Sequence, residues 1–293
     1  MIQIQNMLTL QTKDLSPQQT QMFLQYAVAP RPIAFVSTVD EEGNVNLSPF
    51  SFFNLFSSNP PILVFSPARR VRDNTTKHTL DNVMKVKECT INIVNYNMVH
   101  QTSLSSTEYP KGVNEFTKAG FTELKSDFVK PPRVKESPVQ FECIVRDVIA
   151  LAETPGAGNL VLAEVVAMHI SEDVLAADGK IDQIKMDHVA RLGGDWYSRV
   201  TADSLFQVAK PLTTMGIGVD ALPEHIRHSK ILTGNNLGQL GNVEQIPQYD
   251  EATRAEIKSK YGFMTESEKH ALAKDLLSEG DVSEAWKVLE SGR

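Results

Sequence analysis

Apolar and β-branched positions fall in short runs over the first two hundred residues and in helical stripes over the last eighty. Residues 33–39 (Ile-Ala-Phe-Val-Ser-Thr-Val) read as a strand, Asp40-Glu41-Glu42-Gly43-Asn44 supplies turn chemistry, and residues 45–47 resume the extended pattern, which predicts a β-hairpin. Further strands are predicted at 62–66, 88–94, 139–152 and 159–170, the last two separated by the turn-forming Pro155-Gly156-Ala157-Gly158. Together they predict an antiparallel sheet of five or more strands. Helices are predicted at 74–85, where Leu80, Val83 and Met84 share one face, and at 112–119. Helices inserted between hairpin strands suit a small barrel.

Strand patterns stop near residue 210, which predicts a sheet domain over 1–210 and a helical extension over 211–293. Within the extension, Asp250 is placed to cap a helix closed by Gly262. Thr265 and Glu268 form a T-x-x-E capping box before a helix ending near Gly280, and Asp281 with Glu284 repeats the pattern up to Gly292. The stripes Leu272, Leu276, Leu277 and Ala285, Trp286, Leu289 need a cover, because isolated helices this short are marginal in water. That cover is expected from the sheet domain or from another subunit, with the helices as an arm on a partner protomer.

Composition narrows the classes of function. With 41% hydrophobic and 22% charged residues the chain is close to an average soluble protein, and 29 basic minus 36 acidic residues leaves a formal charge of -7. No Lys/Arg block is present, so nucleic acid and anionic membrane surfaces find no electrostatic footprint. Cys89 and Cys143 lie in apolar, strand-like runs without C-x-x-C or Cys/His spacing, which supports neither a disulfide scaffold nor a zinc site. Residues 1–14 are polar and Gln-rich with no basic and apolar leader, and the longest apolar runs fall far below the roughly 20 residues that span a bilayer. A cytoplasmic protein with neither a nucleic-acid nor a membrane partner is the expectation.

Most motif matches dissolve in context. Gly216-Ile217-Gly218-Val219-Asp220-Ala221 satisfies G-x-G-x-x-A, yet a poor strand precedes it and Pro223 follows, so it reads as a loop. His225 and His228 stand at i, i+3 without a carboxylate or Cys to complete a metal site, and read as an exposed pair. No G-x-S-x-G elbow and no G-x-x-x-x-G-K-[ST] loop occurs. Asp40, Glu41 and Glu42 suit a solvated turn.

Three segments carry polar groups that folding alone explains poorly. In the first, Ser48-Pro49-Phe50-Ser51, Pro49 lacks an N–H, so the ladder is expected to break there and free backbone donors and two hydroxyls beside Phe50, Phe52 and Phe53. The second brings Arg69, Arg70, Arg72 and Lys77 within nine positions onto a loop entering a helix whose first turn offers Thr75, Thr76 and Thr79. Cations, hydroxyls and a helix N-terminus suit a phosphate ester, and the aromatic faces extend that to a heterocycle with a phosphate tail. A Pro-kinked edge strand followed by a solvated basic loop accounts for the same residues equally well. The third segment is Arg191-Leu192-Gly193-Gly194-Asp195-Trp196-Tyr197.

The succession R-P-I-A-x-V-S-T, G-N-V-N-L-S-P-F-S-F-F, P-P-I-L-V-F-S, K-H-T-L-D-N, S-P-V-x-F-E-C and R-L-G-G-x-x-Y resembles the flavin reductase-like family of FMN-binding split barrels. The resemblance covers about residues 20–200 and takes in Glu108-Tyr109-Pro110, Asn114-Glu115-Phe116 and Ala119-Gly120-Phe121. It implies a mainly β fold, a six-stranded antiparallel split β-barrel with inserted helices, here carrying a C-terminal helical extension outside the match. It further implies a homodimer with FMN near the subunit interface. Carried over by position, Asn46, Ser48, Phe50 and Ser51 would line the flavin, and Ser66, Lys77 and Thr79 would hold its ribityl phosphate. Arg191, Gly193, Gly194 and Tyr197 would lie near the open face of the ring. His78 stands where the family often has Asp.

The implied activity is NAD(P)H-dependent flavin reduction, with NADH or NADPH as donor and no obligatory acid or base, so no catalytic residue is assigned. Two alternatives keep the flavin: an electron carrier without NAD(P)H turnover, and a reductase of one organic substrate such as a nitroaromatic or quinone, positioned by Arg191 or His188. A scaffold without flavin is disfavoured by the intact Lys77, Thr79 and Ser-Pro-Phe-Ser.

Overall fold

The computed structural model describes residues 7–292, so the first six residues of the polar N-terminal stretch lie outside the described residues. The chain divides into two compact units, Met1–Leu205 and Phe206–Arg293.

In the first unit, Ser16 and Gln19 form a capping box at the start of helix α1 (Pro17–Ala27). Strands β1 (Ala34–Val39) and β2 (Val45–Phe50) make the expected hairpin, and Asp40 Oδ1 accepts the Glu42 and Asn44 N–H groups at 3.1 and 2.8 Å in its turn. A second hairpin pairs β3 (Phe53–Ser58) with β4 (Pro61–Phe65). Helix α2 (His78–Lys85), strand β5 (Glu88–Ile93) and helices α3 (Val99–Leu104) and α4 (Glu115–Ala119) follow. After the short pair β6 (Glu123–Leu124) and β7 (Arg133–Val134) come the long strands β8 (Val139–Ala150) and β9 (Asn159–Ile170). Helix α5 (Gln183–Met186) and a small hairpin, β10 (Val189–Arg191) with β11 (Tyr197–Arg199), close the unit.

The main sheet is antiparallel, in the order β2-β1-β5-β8-β9-β4-β3. Its two edge strands, β2 and β3, are consecutive in the chain and joined by Ser51 and Phe52 alone. So short a link holds the two edges together while they remain unpaired, so the twisted sheet curls round and stays open along one seam, a split barrel. Seven strands build it, not the six expected. The additional one is β3, whose Asn54, Leu55 and Phe56 are all exposed on an edge and show no alternation of apolar and polar residues.

Three apolar clusters fill the unit among the described residues, the smallest of them Val139, Val174 and Met186. Val36, Phe65, Ile91, Cys143, Val161 and Ala163 meet inside the sheet, covered by Leu80 and Val83 of α2. Phe35, Leu47, Met98 and Phe116 form a second cluster, which is why every position of β1 is buried. Helix α2 begins at His78, later than the expected residue 74, because Asn74 adopts a left-handed φ of 58° that a helix does not accommodate. Likewise α4 begins at Glu115, where the Asn114 side chain accepts the Phe116 N–H at 2.9 Å.

The second unit contains α6 (Glu224–Arg227), α7 (Gly234–Leu240), α8 (Glu251–Tyr261), α9 (Glu266–Ser278) and α10 (Val282–Glu290). Asp250 caps α8 through the Thr253 N–H at 2.8 Å, and the Thr265/Glu268 box opens α9 with bonds of 2.7 and 3.3 Å. Asp281 takes the Glu284 N–H at 2.9 Å, but Glu284 turns to Lys260 and Tyr261 rather than back to the cap. The apolar stripes of α9 and α10 bury themselves within this unit, in a core built with Leu222, Ile226 and Leu240. They require neither the sheet nor another subunit, because the unpredicted α6 and α7 supply the opposing face. The G-x-G-x-x-A stretch is a loop whose Ile217 N–H meets the Val243 carbonyl at 2.8 Å. A Cβ on Gly216 would lie 2.7 Å from the Gly241 oxygen, so close backbone approach explains that glycine. Among the described residues no helix is long and apolar enough to cross a membrane.

Candidate functional site

A polar cleft of the sheet unit lies against edge strand β2. Leu47 points its N–H outward to Glu115 Oε2 at 2.9 Å, and Pro49, two residues on, points its nitrogen the same way. Pro49 therefore removes no ladder bond. β2 continues through it, opposite Phe35, and the expected break at Ser-Pro-Phe-Ser does not occur. Burial raises the Glu115 carboxyl above its ordinary range, against the opposing pull of the Leu47 N–H.

Asn46 and Ser48 present their side chains to the cleft, where Asn46 Nδ2 donates to Thr79 Oγ1 at 2.9 Å. Thr79 sits in the first turn of α2, and Lys77 holds the N-cap position without a side-chain cap. The N–H groups of His78 and Thr79 donate to no described residue, whereas those of Leu80 and Asp81 return to the Lys77 carbonyl at 2.9 and 3.3 Å. The Lys77 ammonium lies 5.8 Å from the centre of the Phe50 ring and makes no hydrogen bond or ion pair with any described residue. Burial lowers its pKa, the neighbouring Arg70 lowers it further, and Glu108 partly offsets both.

The opposite wall runs from Ser105 to Tyr109. Ser105, Ser106 and Thr107 turn their hydroxyls back onto the carbonyls of Thr102, Ser103 and Leu104 at 2.8, 2.6 and 2.8 Å. From this wall Glu108 reaches across the cleft: Arg70 Nε meets it at 3.0 Å and Arg72 Nη2 at 2.9 Å. Hydrogen bonds from Arg72 and then Arg70 hold the Glu108 carboxyl below its ordinary range. Arg70 also binds Thr75 Oγ1 at 2.9 Å and the Thr76 carbonyl, and Arg69 Nε is spent on Asn74 Oδ1 at 2.8 Å. Of the four cations, Lys77 is thus the one without a polar partner, beside two unused backbone donors. That donor set matches an anion of the phosphate type.

The structure brings together four of the expected residues, Asn46, Ser48, Lys77 and Thr79. Phe50 lies beneath Lys77 but faces the core, 5.3 Å from the Phe65 ring. Ser51 occupies the link between β2 and β3. Ser66 follows β4 and does not line the cleft; its N–H meets the Phe52 carbonyl at 2.8 Å and its hydroxyl abuts Gly158. Arg191, Gly193, Gly194 and Tyr197 belong to the β10–β11 hairpin, with Gly193 packed so closely on the Tyr26 ring that a Cβ would lie 2.3 Å from it. His188, half-buried at the same hairpin, has its pKa lowered by burial, with Asp187 opposing. Sequence reasoning missed Glu108 and Glu115 as cleft residues, although both sit in motifs noted for other reasons. The Ser105–Thr107 wall left no signal in the sequence.

A second polar cluster, Asp127, Glu142 and His169, is satisfied internally. Fully buried Glu142 accepts the N–H groups of Asp127, Phe128 and Val129 at 2.9, 2.6 and 3.0 Å and meets His169 Nε2 at 2.8 Å. Its lone pairs are spent on holding a loop.

The profile of the flavin reductase like domain matches residues 26–185. The chain belongs to this family. A protein of Aquifex aeolicus without an assigned function is 35% identical over 181 residues, 62% of this chain and 90% of its own length. Among solved structures, nitrilotriacetate monooxygenase component B from Bacillus cereus superposes with a TM-score of 0.65 at 27% identity, covering 69% of this chain and 98% of its own. A protein assigned as a flavin reductase with a split barrel domain, from Shewanella frigidimarina, gives 0.58 at 27% identity, covering 68% and 95%. The flavin reductase-like match ends before β10 and leaves the helical unit outside it.

Proposed function

We propose that the protein is a cytoplasmic, FMN-binding oxidoreductase of the NAD(P)H-dependent flavin reductase type. The observation that carries the reading is Lys77: a half-buried ammonium without a counter-ion, next to the unused His78 and Thr79 N–H groups at the start of α2. These groups fit a terminal phosphate, and Lys77, Thr79 and the α2 N-terminus would hold it. Asn46 and Ser48 on β2 would face the ribityl chain, and Ser51 the ring. The chemistry that bound FMN would supply is acceptance of a hydride from NADH or NADPH and onward transfer of the electrons to an acceptor. The chain's own share is to orient and desolvate. Thr79 is held by Asn46, so the phosphate contact is preorganised, and Glu115 keeps the backbone of β2 in place at Leu47.

The reading includes a homodimer. Phe56 of β3 and Val166, Met168 and Ile170 of β9 are exposed apolar residues on the sheet, and α1 adds Met22, Phe23 and Leu24 with none of its residues buried. Apolar surface of this extent suits a second copy. The test is the visible spectrum of the purified protein with FMN added, then NADH or NADPH without oxygen, with mass measured by sedimentation. Binding followed by bleaching supports the reductase. Binding without bleaching replaces it with a carrier, and no binding overturns the flavin site.

A further inference from the structure

Arg31 and Arg191 sit directly opposite one another in an isolated antiparallel bridge, with both backbone bonds made at 2.9 and 2.8 Å. Tyr197 is in turn directly opposite Arg191 in the β10–β11 ladder. Residues opposed across a ladder carry their side chains on the same face, so Tyr197, Arg191 and Arg31 form one row. Phe52 extends it: its ring centre lies 6.0 Å from Arg31 Cζ, and the Tyr197 ring centre lies 4.7 Å from Arg191 Cζ. Two guanidinium groups thus stand side by side between two aromatic rings.

No carboxylate among the described residues pairs with either arginine, although like charges directly opposite one another are unfavourable. Arg31 is only 7% exposed. It donates from Nη1 to the Gln25 and Val28 carbonyls, both at 2.6 Å, and from Nη2 to the Leu192 carbonyl at 3.0 Å, while its buried Nε has no partner. Arg191 makes no side-chain hydrogen bond with any described residue; its guanidinium rests on the Tyr197 ring, leaving its N–H edge for a ligand. A fully committed structural arginine explains most of Arg31. It does not explain a second, uncommitted arginine placed beside it with no counter-ion.

We propose that the Tyr197–Arg191–Arg31–Phe52 row is a binding site for a planar aromatic carboxylate. The guanidinium fork matches a carboxylate in plane and in donor spacing, and the flanking rings with the exposed Trp196 at the hairpin tip suit a flat arene rather than a bare ion. Phe52 stands in the link that follows β2, and neither it nor Arg31, Arg191 or Tyr197 lines the Lys77 cleft, so the row is a separate place on the sheet unit. The use of this site, as the seat of the compound that exchanges electrons with the flavin ring, rests on the flavin reading. Its existence does not.

The experiment is calorimetric titration of benzoate into the full chain, wild type and the variants Arg191→Gln and Arg191→Lys, with benzamide and inorganic phosphate as rivals and FMN titrated in parallel. Benzoate is expected to bind the wild type at least about tenfold more tightly than benzamide, and Arg191→Gln to lose about tenfold in benzoate affinity. Arg191→Lys keeps the charge without the fork and should lose less. No benzoate binding, equal binding of benzamide, an unaffected Arg191→Gln, or tighter binding of phosphate than of benzoate each overturns the carboxylate site. If FMN does not bind while benzoate binds through Arg191, the flavin reading falls and the site stands. FMN binding without any benzoate discrimination gives the reverse.

Discussion

Asn46 donates its side-chain amide to the Thr79 hydroxyl at 2.9 Å, and this one buried bond ties the edge strand of a split sheet to the first turn of α2. The strand belongs to one hairpin and the helix lies thirty residues on, yet the bond sets the distance between β2 and Lys77. Cutting one partner leaves the other buried and unsatisfied, which accounts for the polarity of both positions.

Lys77→Ala is expected to weaken FMN binding by about 1.5–3 kcal/mol, roughly 10- to 100-fold, the scale of a hydrogen bond to a charged group. Riboflavin, which has no phosphate, should bind the variant and the wild type alike. Flavin fluorescence quenching reads both. Equal losses for the two ligands would remove Lys77 from the phosphate contact.

Glu108 neutralises Arg70 and Arg72 from across the cleft, so an incoming phosphate competes with a carboxylate already in place. Exposed ion pairs of this kind are worth about 0–1 kcal/mol, so Glu108→Gln should tighten FMN by up to about fivefold at low salt, with riboflavin unmoved. Titration at two ionic strengths checks it. A loss of affinity would show that Glu108 orders the cations instead of competing for them.

Cys89 and Cys143 face each other across β5 and β8, both fully buried, and burial pushes the Cys143 thiol well up. Reactivity follows the thiolate, so neither is expected to react with a thiol reagent in the native protein, and both should react at the unfolding rate in denaturant. Rapid labelling of the folded chain, followed by mass spectrometry, decides this. Cys143→Ser should destabilise by about 1–3 kcal/mol, through a buried hydroxyl in an apolar cluster.

Lys260, Tyr261 and Lys287 hold the Glu284 carboxyl down at about 2, from an ordinary 4.5. A carboxyl depressed on folding adds stability above its unfolded pKa and loses it as pH falls through the folded one. The helical unit should therefore unfold more readily as pH drops from 4.5 toward about 2, and Glu284→Gln should flatten that slope. Thermal melts followed by circular dichroism across the range test it, and an unchanged slope would assign the acid lability elsewhere.

Much of this fold is local and was therefore legible. The first hairpin, the long β8 and β9, and the caps at Asp250, Thr265 and Asp281 each depend on a few adjacent residues whose turn, pairing or capping chemistry is complete within the segment. The cationic loop before α2 was legible for the same reason. Strand β3 was not, because an exposed edge strand has no buried face to impose alternation on its residues.

Which of the expected residues meet was decided by tertiary structure alone. Sequence placed Lys77, Asn46 and Thr79 on a list; the curl of the sheet put them in one cleft, set Glu108 against Arg70 from a different loop, and turned Phe50 inward to the core. The same holds for Arg31 and Arg191, 160 positions apart in the chain and paired through a single bridge. Motif chemistry is written in short spacings. The juxtaposition of distant charges depends on strand order and register, which arise only once the whole sheet has closed on its core.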